Sequence, residues 1–157
     1  YSEQWNLVVN TLREAAHRAA NAGVVLGLQN HHDIAAGFEA FHDIVHAVAH
    51  PHCKALFDAW APALHGADLA DAASMLGSHT IHTTIADYQK RPRSNYNAPL
   101  RMGKGFIDYR KFLGSLRAAG FTGSIAYEMC SPIEGGGAEE NLDRFARAFL
   151  EWAAPLR

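Results

Sequence analysis

At 157 residues with 48% hydrophobic side chains, the chain has the length of one domain and enough apolar material to fill a core. A formal charge of −2 and a pI near 6.6 offer no basic field to hold phosphodiester backbones, which argues against a nucleic-acid partner. No apolar run approaches the roughly 20 residues of a membrane span, and no signal-peptide pattern precedes the first helix. The chain begins on Tyr1, as a cut or trimmed end does.

Residues 2–21 read as a helix. Trp5, Val8, Leu12, Ala15 and Ala19 recur at three-to-four spacing, and Gly23 stops the run. Residues 24–29 (VVLGLQ) form a short apolar run between Gly23 and the polar NHHD, the mark of a buried parallel strand. A helix follows over 37–50, with Phe38, Phe41, Val45 and Val48 on one face and Pro51 just beyond. Then come a strand at 53–58 (CKALFD), a short helix at 69–76, and a strand at 80–87 (TIHTTIAD). The long stretch 88–105 reads as irregular. After it come a helix at 108–119, a strand at 123–128 (GSIAYE), and a last helix over 139–154 that Pro155 closes.

The expectation is one domain over 1–157: an opening helix at 2–21, then four βα units from about 24, 53, 80 and 123. Strict alternation means a parallel sheet with helical crossovers. A small open sheet and half of a closed eight-stranded barrel both fit that order. Cys53 opens one strand and Cys130 follows the end of another, so the two thiols are expected at opposite ends of the sheet, too far apart to bridge. That fits a reducing, cytoplasmic setting.

The polar residues carry the chemistry. Gln29, Asp58 and Glu128 end three of the strands; His82 lies inside the remaining one, with Asp87 at its end. Parallel α/β sheets build their sites at the carboxyl ends of strands. The set Gln29, Asp58, His82 and Glu128 offers O, O, N and O donors, which suits Mn²⁺, Mg²⁺, Co²⁺ or Zn²⁺. Each has a plainer reading taken alone: Asp58 before Ala-Trp as a loop cap, Gln29 as a loop amide, His82 as a satisfied core histidine. Glu128 resists that reading, since a charge at the end of a buried strand is costly.

His31 and His32 follow Gln29 onto the same rim, and with Trp60, Asp87 and Arg101 they make the expected substrate-binding set. Lys90, Arg91, Arg93 and Arg101 share the long loop, where a solvated cluster is favoured over a grip on an anionic substrate. His42 and His46 are one helical turn apart, but no third ligand is evident for a metal there.

The stretches LGLQNHHD (26–33), ALFDAWAP (55–62), IHTTIADY (81–88), MGKGFIDY (102–109) and IAYEMCSP (125–132) together resemble the xylose-isomerase-like barrel superfamily of sugar phosphate isomerases and epimerases, in its last four βα units. The resemblance implies the C-terminal half of a (β/α)₈ barrel. It also implies a metal held by Glu, Asp, His and Glu from four successive strands. Asp58 and Glu128 match two of these positions, and Gln29 stands at the first Glu position. His82 fits the first histidine of the family's His-x-His pattern, whereas Thr84 occupies the second. Ala61 stands where many members carry a substrate-binding histidine.

For activity, the resemblance implies a metal-dependent isomerase or epimerase of a sugar or polyol, or a dehydratase of a keto-sugar or keto-inositol. It would work through a metal-stabilised enediolate with Glu128 as base. A degenerate, non-catalytic carbohydrate-binding half-barrel is the alternative, and an abasic-site endonuclease a weaker one. Four βα units cannot close an eight-stranded barrel. A missing N-terminal half or a second copy is expected to complete it, the latter as a homodimer or larger homo-oligomer.

Overall fold

The computed structural model describes residues 2–31, 33–89, 98–100, 102–128, 133 and 135–156. Of the residues singled out above, His32, Lys90, Arg91, Arg93, Arg101 and Cys130 lie outside the described set.

Helix α1 (Ser2–Asn21) leads through Gly23, at φ 69°, into strand β1 (Leu26–Gln29). Helix α2 (Phe38–Val48) ends at Ala49, whose left-handed φ of 50° turns the chain toward Pro51 and strand β2 (Cys53–Asp58). Two helices follow, α3 (Trp60–Leu64) and α4 (Leu69–Leu76). Only α4 is expected from the pattern, because a five-residue helix containing Pro62 is too short to show a period.

Strand β3 (Thr80–Ile85) is shorter than expected, and residues 87–89 belong elsewhere: β4 (Asp87–Gln89) pairs antiparallel with β5 (Ala98–Leu100). The stretch expected to be irregular therefore contains β5 and all of β4 but Asp87. Three-residue strands, one of them with a central proline, carry too little alternation to be read. Helix α5 (Tyr109–Ala118), strand β6 (Ser124–Tyr127) and helix α6 (Glu139–Ala153) complete the order.

β1, β2, β3 and β6 form one parallel sheet in chain order. Four parallel strands, each following a helix, with neighbours in sequence also neighbours in space, are half of a (β/α)₈ barrel. One face of the sheet is sealed by helices. Cys53, Ala55 and Phe57 of β2 are buried there, alternating with the less buried Lys54, Leu56 and Asp58. Phe57 stacks on Phe41 of α2 at 6.2 Å and meets Phe112 of α5 at 5.7 Å, which ties two crossover helices to one strand. Among the described residues no helix is long and apolar enough to cross a membrane.

Candidate functional site

Strand alternation decides which side chains reach the face away from the helices. In β2, Phe57 is core, so Asp58 points the other way. In β3, Thr83 is fully buried and donates its hydroxyl to the Phe57 carbonyl at 2.6 Å, so His82 and Thr84 share Asp58's face. Beyond β6, Tyr127 stacks on Phe149 of α6 at 5.3 Å, which turns Glu128 to that same open face. In β1, Leu28 packs toward the core and Gln29 away from it.

Register then sets the height of each residue. Asp58 pairs with Thr84, whereas His82 pairs with Leu56, one layer lower. Gln29 also pairs with Leu56. The Glu128 N–H donates to the Ile85 carbonyl at 3.0 Å, extending the β3–β6 ladder past Tyr127. The rim thus carries Asp58 and Thr84 at one level and Glu128 two residues beyond Ala126, the partner of Thr84, with Gln29 and His82 below. His82 Nδ1 lies 2.7 Å from Ser124 Oγ, its register partner on β6. The Thr84 hydroxyl is buried and, among the described residues, has no hydrogen-bond partner.

The charge of Glu128 reaches Asp58. Burial pushes the Asp58 carboxyl up to about 6; the Trp60 N–H at 2.8 Å pulls the other way, the charge of Glu128 raises it further, and His31 lowers it. Asp58 is therefore both things read from the sequence: a cap that accepts from the chain entering α3, and a strand-end carboxyl on the open face. Trp60, so positioned, lies 5.6 Å from the ring of Tyr88.

Asn30 is missing from the expected set, yet it builds the rim. It is 2% exposed, its Nδ2 donates to the Asp58 carbonyl at 2.8 Å, and its Oδ1 accepts from the Asp58 N–H at 2.8 Å. Only its place after Gln29, at the end of a buried strand, hints at this in the sequence.

Asp87, expected to contact substrate, is 1% exposed and turned into the protein. Its Oδ2 accepts from the N–H groups of Lys104 and Gly105 at 3.0 and 2.9 Å, shaping the GKG turn before α5. Its carboxyl is raised by burial, with those backbone donors acting against the shift. Tyr109 anchors the same region by donating its hydroxyl to the Ala86 carbonyl at 2.8 Å.

The sequence profile of the Xylose isomerase-like TIM barrel matches residues 1–149. The chain belongs to this family. Among solved structures, the xylose isomerase-like chain resembles an IolI protein described with a bound zinc atom, at TM-score 0.78 and 21% identity, covering 94% of this chain and 55% of that one. It also resembles a D-psicose 3-epimerase with D-tagatose from Clostridium cellulolyticum H10, at TM-score 0.78 and 20% identity, covering 96% of this chain and 55% of that one. A third is the 3-keto-D-glucoside 4-epimerase YcjR from E. coli, at TM-score 0.72 and 21% identity, covering 96% and 53%. The chain spans about half the length of these proteins. Comparison with curated protein sequences finds no match.

A divalent cation in such a barrel asks for several protein donors around one point. Among the described residues no three His, Cys, Asp or Glu side chains are grouped to hold one. Asp58 and Glu128 are brought to one rim, but the expected nitrogen donor sits a layer down beside Ser124, and a threonine hydroxyl stands level with Asp58. The residues present do not fit the expected cation.

Proposed function

We propose that this chain carries the rim of a site that moves protons on a sugar or polyol bearing a carbonyl, as an isomerase or epimerase does. The observation that supports it is the pair Asp58 and Glu128 on one open face, close enough for the charge of one to raise the other. A carboxyl raised by burial can hold a proton as acid beside a neighbouring carboxylate that acts as base. Glu128 takes the proton from the carbon next to the carbonyl. Asp58, whose affinity near 6 lets it carry a proton close to neutrality, gives that proton to the carbonyl oxygen, so that a neutral enediol forms. Glu128 then delivers its proton to the neighbouring carbon and Asp58 recovers one from the hydroxyl, completing an aldose–ketose exchange. The unpartnered Thr84 hydroxyl binds a substrate oxygen in this arrangement. His31 and Trp60 flank it.

Gln29 cannot replace a carboxylate as a second base, so one-base isomerisation is favoured over two-base epimerisation. Names of the structural neighbours support a carbohydrate of this kind: L-ribulose, D-psicose and a 3-keto-D-glucoside are the substrates named for three of them.

Incubating the purified protein with a panel of ketoses, aldoses and keto-inositols in D₂O tests this reading. Deuterium enters the carbon next to the carbonyl of at least one of them, and Glu128→Gln lowers that rate by about 10²-fold or more. If no compound on the panel exchanges, the proposal fails. A sugar that binds without exchanging favours the second reading, a non-catalytic carbohydrate-binding half-barrel, which Gln29, Thr84 and Ala61 support.

The open edges of the sheet belong to the same proposal. Beside edge strand β1, Leu7, Val8, Leu12, Leu28 and Ile34 line an apolar groove. Further βα units, from a second copy or from elsewhere in a longer protein, would cover it and close the barrel. Light scattering separates a homo-oligomer from a monomer.

A further inference from the structure

We infer that Thr84, not His82, holds the rim position facing Asp58, that the rim of this chain therefore takes up no tightly held divalent cation through Gln29, Asp58, His82 and Glu128, and that a single metal-binding side chain at 84 would create such a site. This rests on the rim described above but not on the chemistry proposed for it.

His82 and Thr84 share a face and are two residues apart, so alternation alone makes them equivalent. Register separates them. Asp58 is the partner of Thr84; His82 is the partner of Leu56 and Ser124. Two residues along a parallel strand are about 6.6 Å. Ligand bonds to a borderline cation are about 2.0–2.3 Å, so donors to one ion lie within a few ångströms of each other. The His82 ring is held in its own layer, with Nδ1 2.7 Å from Ser124 Oγ. To join Asp58 on one ion it would have to leave that partner and climb a layer.

At the level of Asp58 stands a neutral hydroxyl. The Thr84 oxygen is buried in the middle of the rim and, among the described residues, has no hydrogen-bond partner. A hydroxyl that stays protonated is a weak ligand beside an imidazole or a carboxylate. Gln29 adds another neutral donor. The formal charge available to attract a cation is reduced to Asp58 and Glu128, and among the described residues no third ionisable donor joins them.

Calorimetric titration with Mn²⁺ of chelator-treated protein tests the inference in four forms: wild type, His82→Ala, Thr84→His and Thr84→Asp. Wild type and His82→Ala are expected to bind alike and weakly. Thr84→His is expected to bind at least tenfold more tightly, and Thr84→Asp, closer in size to threonine, gives the same direction should the larger ring disturb the fold. Tight stoichiometric binding by wild type that His82→Ala lowers tenfold or more overturns the inference. So does a Thr84→His or Thr84→Asp protein, folded by circular dichroism, that binds no better than wild type. Deuterium exchange is read separately on the same chelator-treated wild type, so failure of the proposed function and failure of this inference give different results.

Discussion

The side-chain amide of Asn30 hydrogen-bonds both backbone groups of Asp58, at 2.8 Å each. The β1–β2 ladder ends where Gln29 pairs with Leu56. Asn30 continues it with a side chain, so the backbone of Asp58 is held as if another strand residue lay beside it. A buried amide used this way fixes where the strand stops and where the carboxyl of residue 58 emerges.

Replacing Asn30 tests that role. Asn30→Asp keeps the shape, removes the donor to the Asp58 carbonyl, and sets a second carboxylate against it. The expected loss is about 2–3 kcal/mol of stability at pH 7, with the denaturant midpoint as readout. Asn30→Ala leaves both Asp58 groups unpaired and loses a similar amount. Unchanged midpoints in both variants would mean water satisfies Asp58 just as well.

Asp58 sets a pH dependence of its own. Its carboxyl is raised in the folded state from 3.8 to about 6, so the folded protein binds more protons than the unfolded chain between those values. Stability from this group falls as pH rises from about 4 to 6, and the cost is fully developed at pH 7. Asp58→Asn removes the cost while its side-chain oxygen still accepts from Trp60. The variant is expected to exceed wild type by about 1–3 kcal/mol at pH 7 and to lose that advantage at pH 4, measured by urea unfolding at each pH.

The histidines at the opposite end of β2 act in the other direction. His79 is lowered by burial and by the nearby His42, Lys54 and His46; His50 is lowered by burial and by His17 and His52. A base held neutral in the folded state keeps its full contribution above 6.5, the unfolded value, and loses it as pH falls through the lower folded one. Between pH 7 and pH 5 this loss opposes the gain from Asp58, so it is read as a difference: the thermal midpoint of wild type is expected to fall relative to that of the double variant His50→Gln, His79→Gln, and a constant difference would assign the acid sensitivity elsewhere.

Two glycines make opposite predictions. A Cβ on Gly105 would stand 1.8 Å from Asp87 Oδ1 and 2.6 Å from the Tyr88 carbonyl. Gly105→Ala should therefore displace the GKG turn from Asp87 and cost about 1–3 kcal/mol. Gly114, inside α5, has open space where a methyl group would stand, with nothing within 4 Å. Gly114→Ala should raise stability by about 0.5–1 kcal/mol through helix propensity. Thermal midpoints of the two variants, moving in opposite directions, check both.

Much of the layering is written in short-range pattern. The helices over 2–21 and 69–76 and the strand over 53–58 have the bounds expected from the sequence, and the other main elements shift by only a few residues, because glycines, prolines and apolar period mark their ends. Helix α3 and the β4–β5 ribbon escape that reading. Their segments are too short for a period, and the ribbon depends on pairing across a sequence gap. Of the rim, Asp58 and Glu128 could be read because a charge ending an apolar run is conspicuous. Asn30 could not, since an uncharged amide in a polar cluster looks like any loop residue until its two partners are seen.

The sequence by itself determined the alternation of strands and helices and the face each strand residue takes, because periods of two and 3.6 residues are local properties of the chain, and its short motifs at the strand ends carried the resemblance to the family. Only the tertiary structure decided height: that Thr84 rather than His82 lies level with Asp58, that Asp87 is spent on a turn, and that Asn30 clasps a neighbouring strand. Alternation says which side of a sheet a residue faces. Which residues meet across strands is set by register, and register is fixed by pairing between segments about 25 to 40 residues apart.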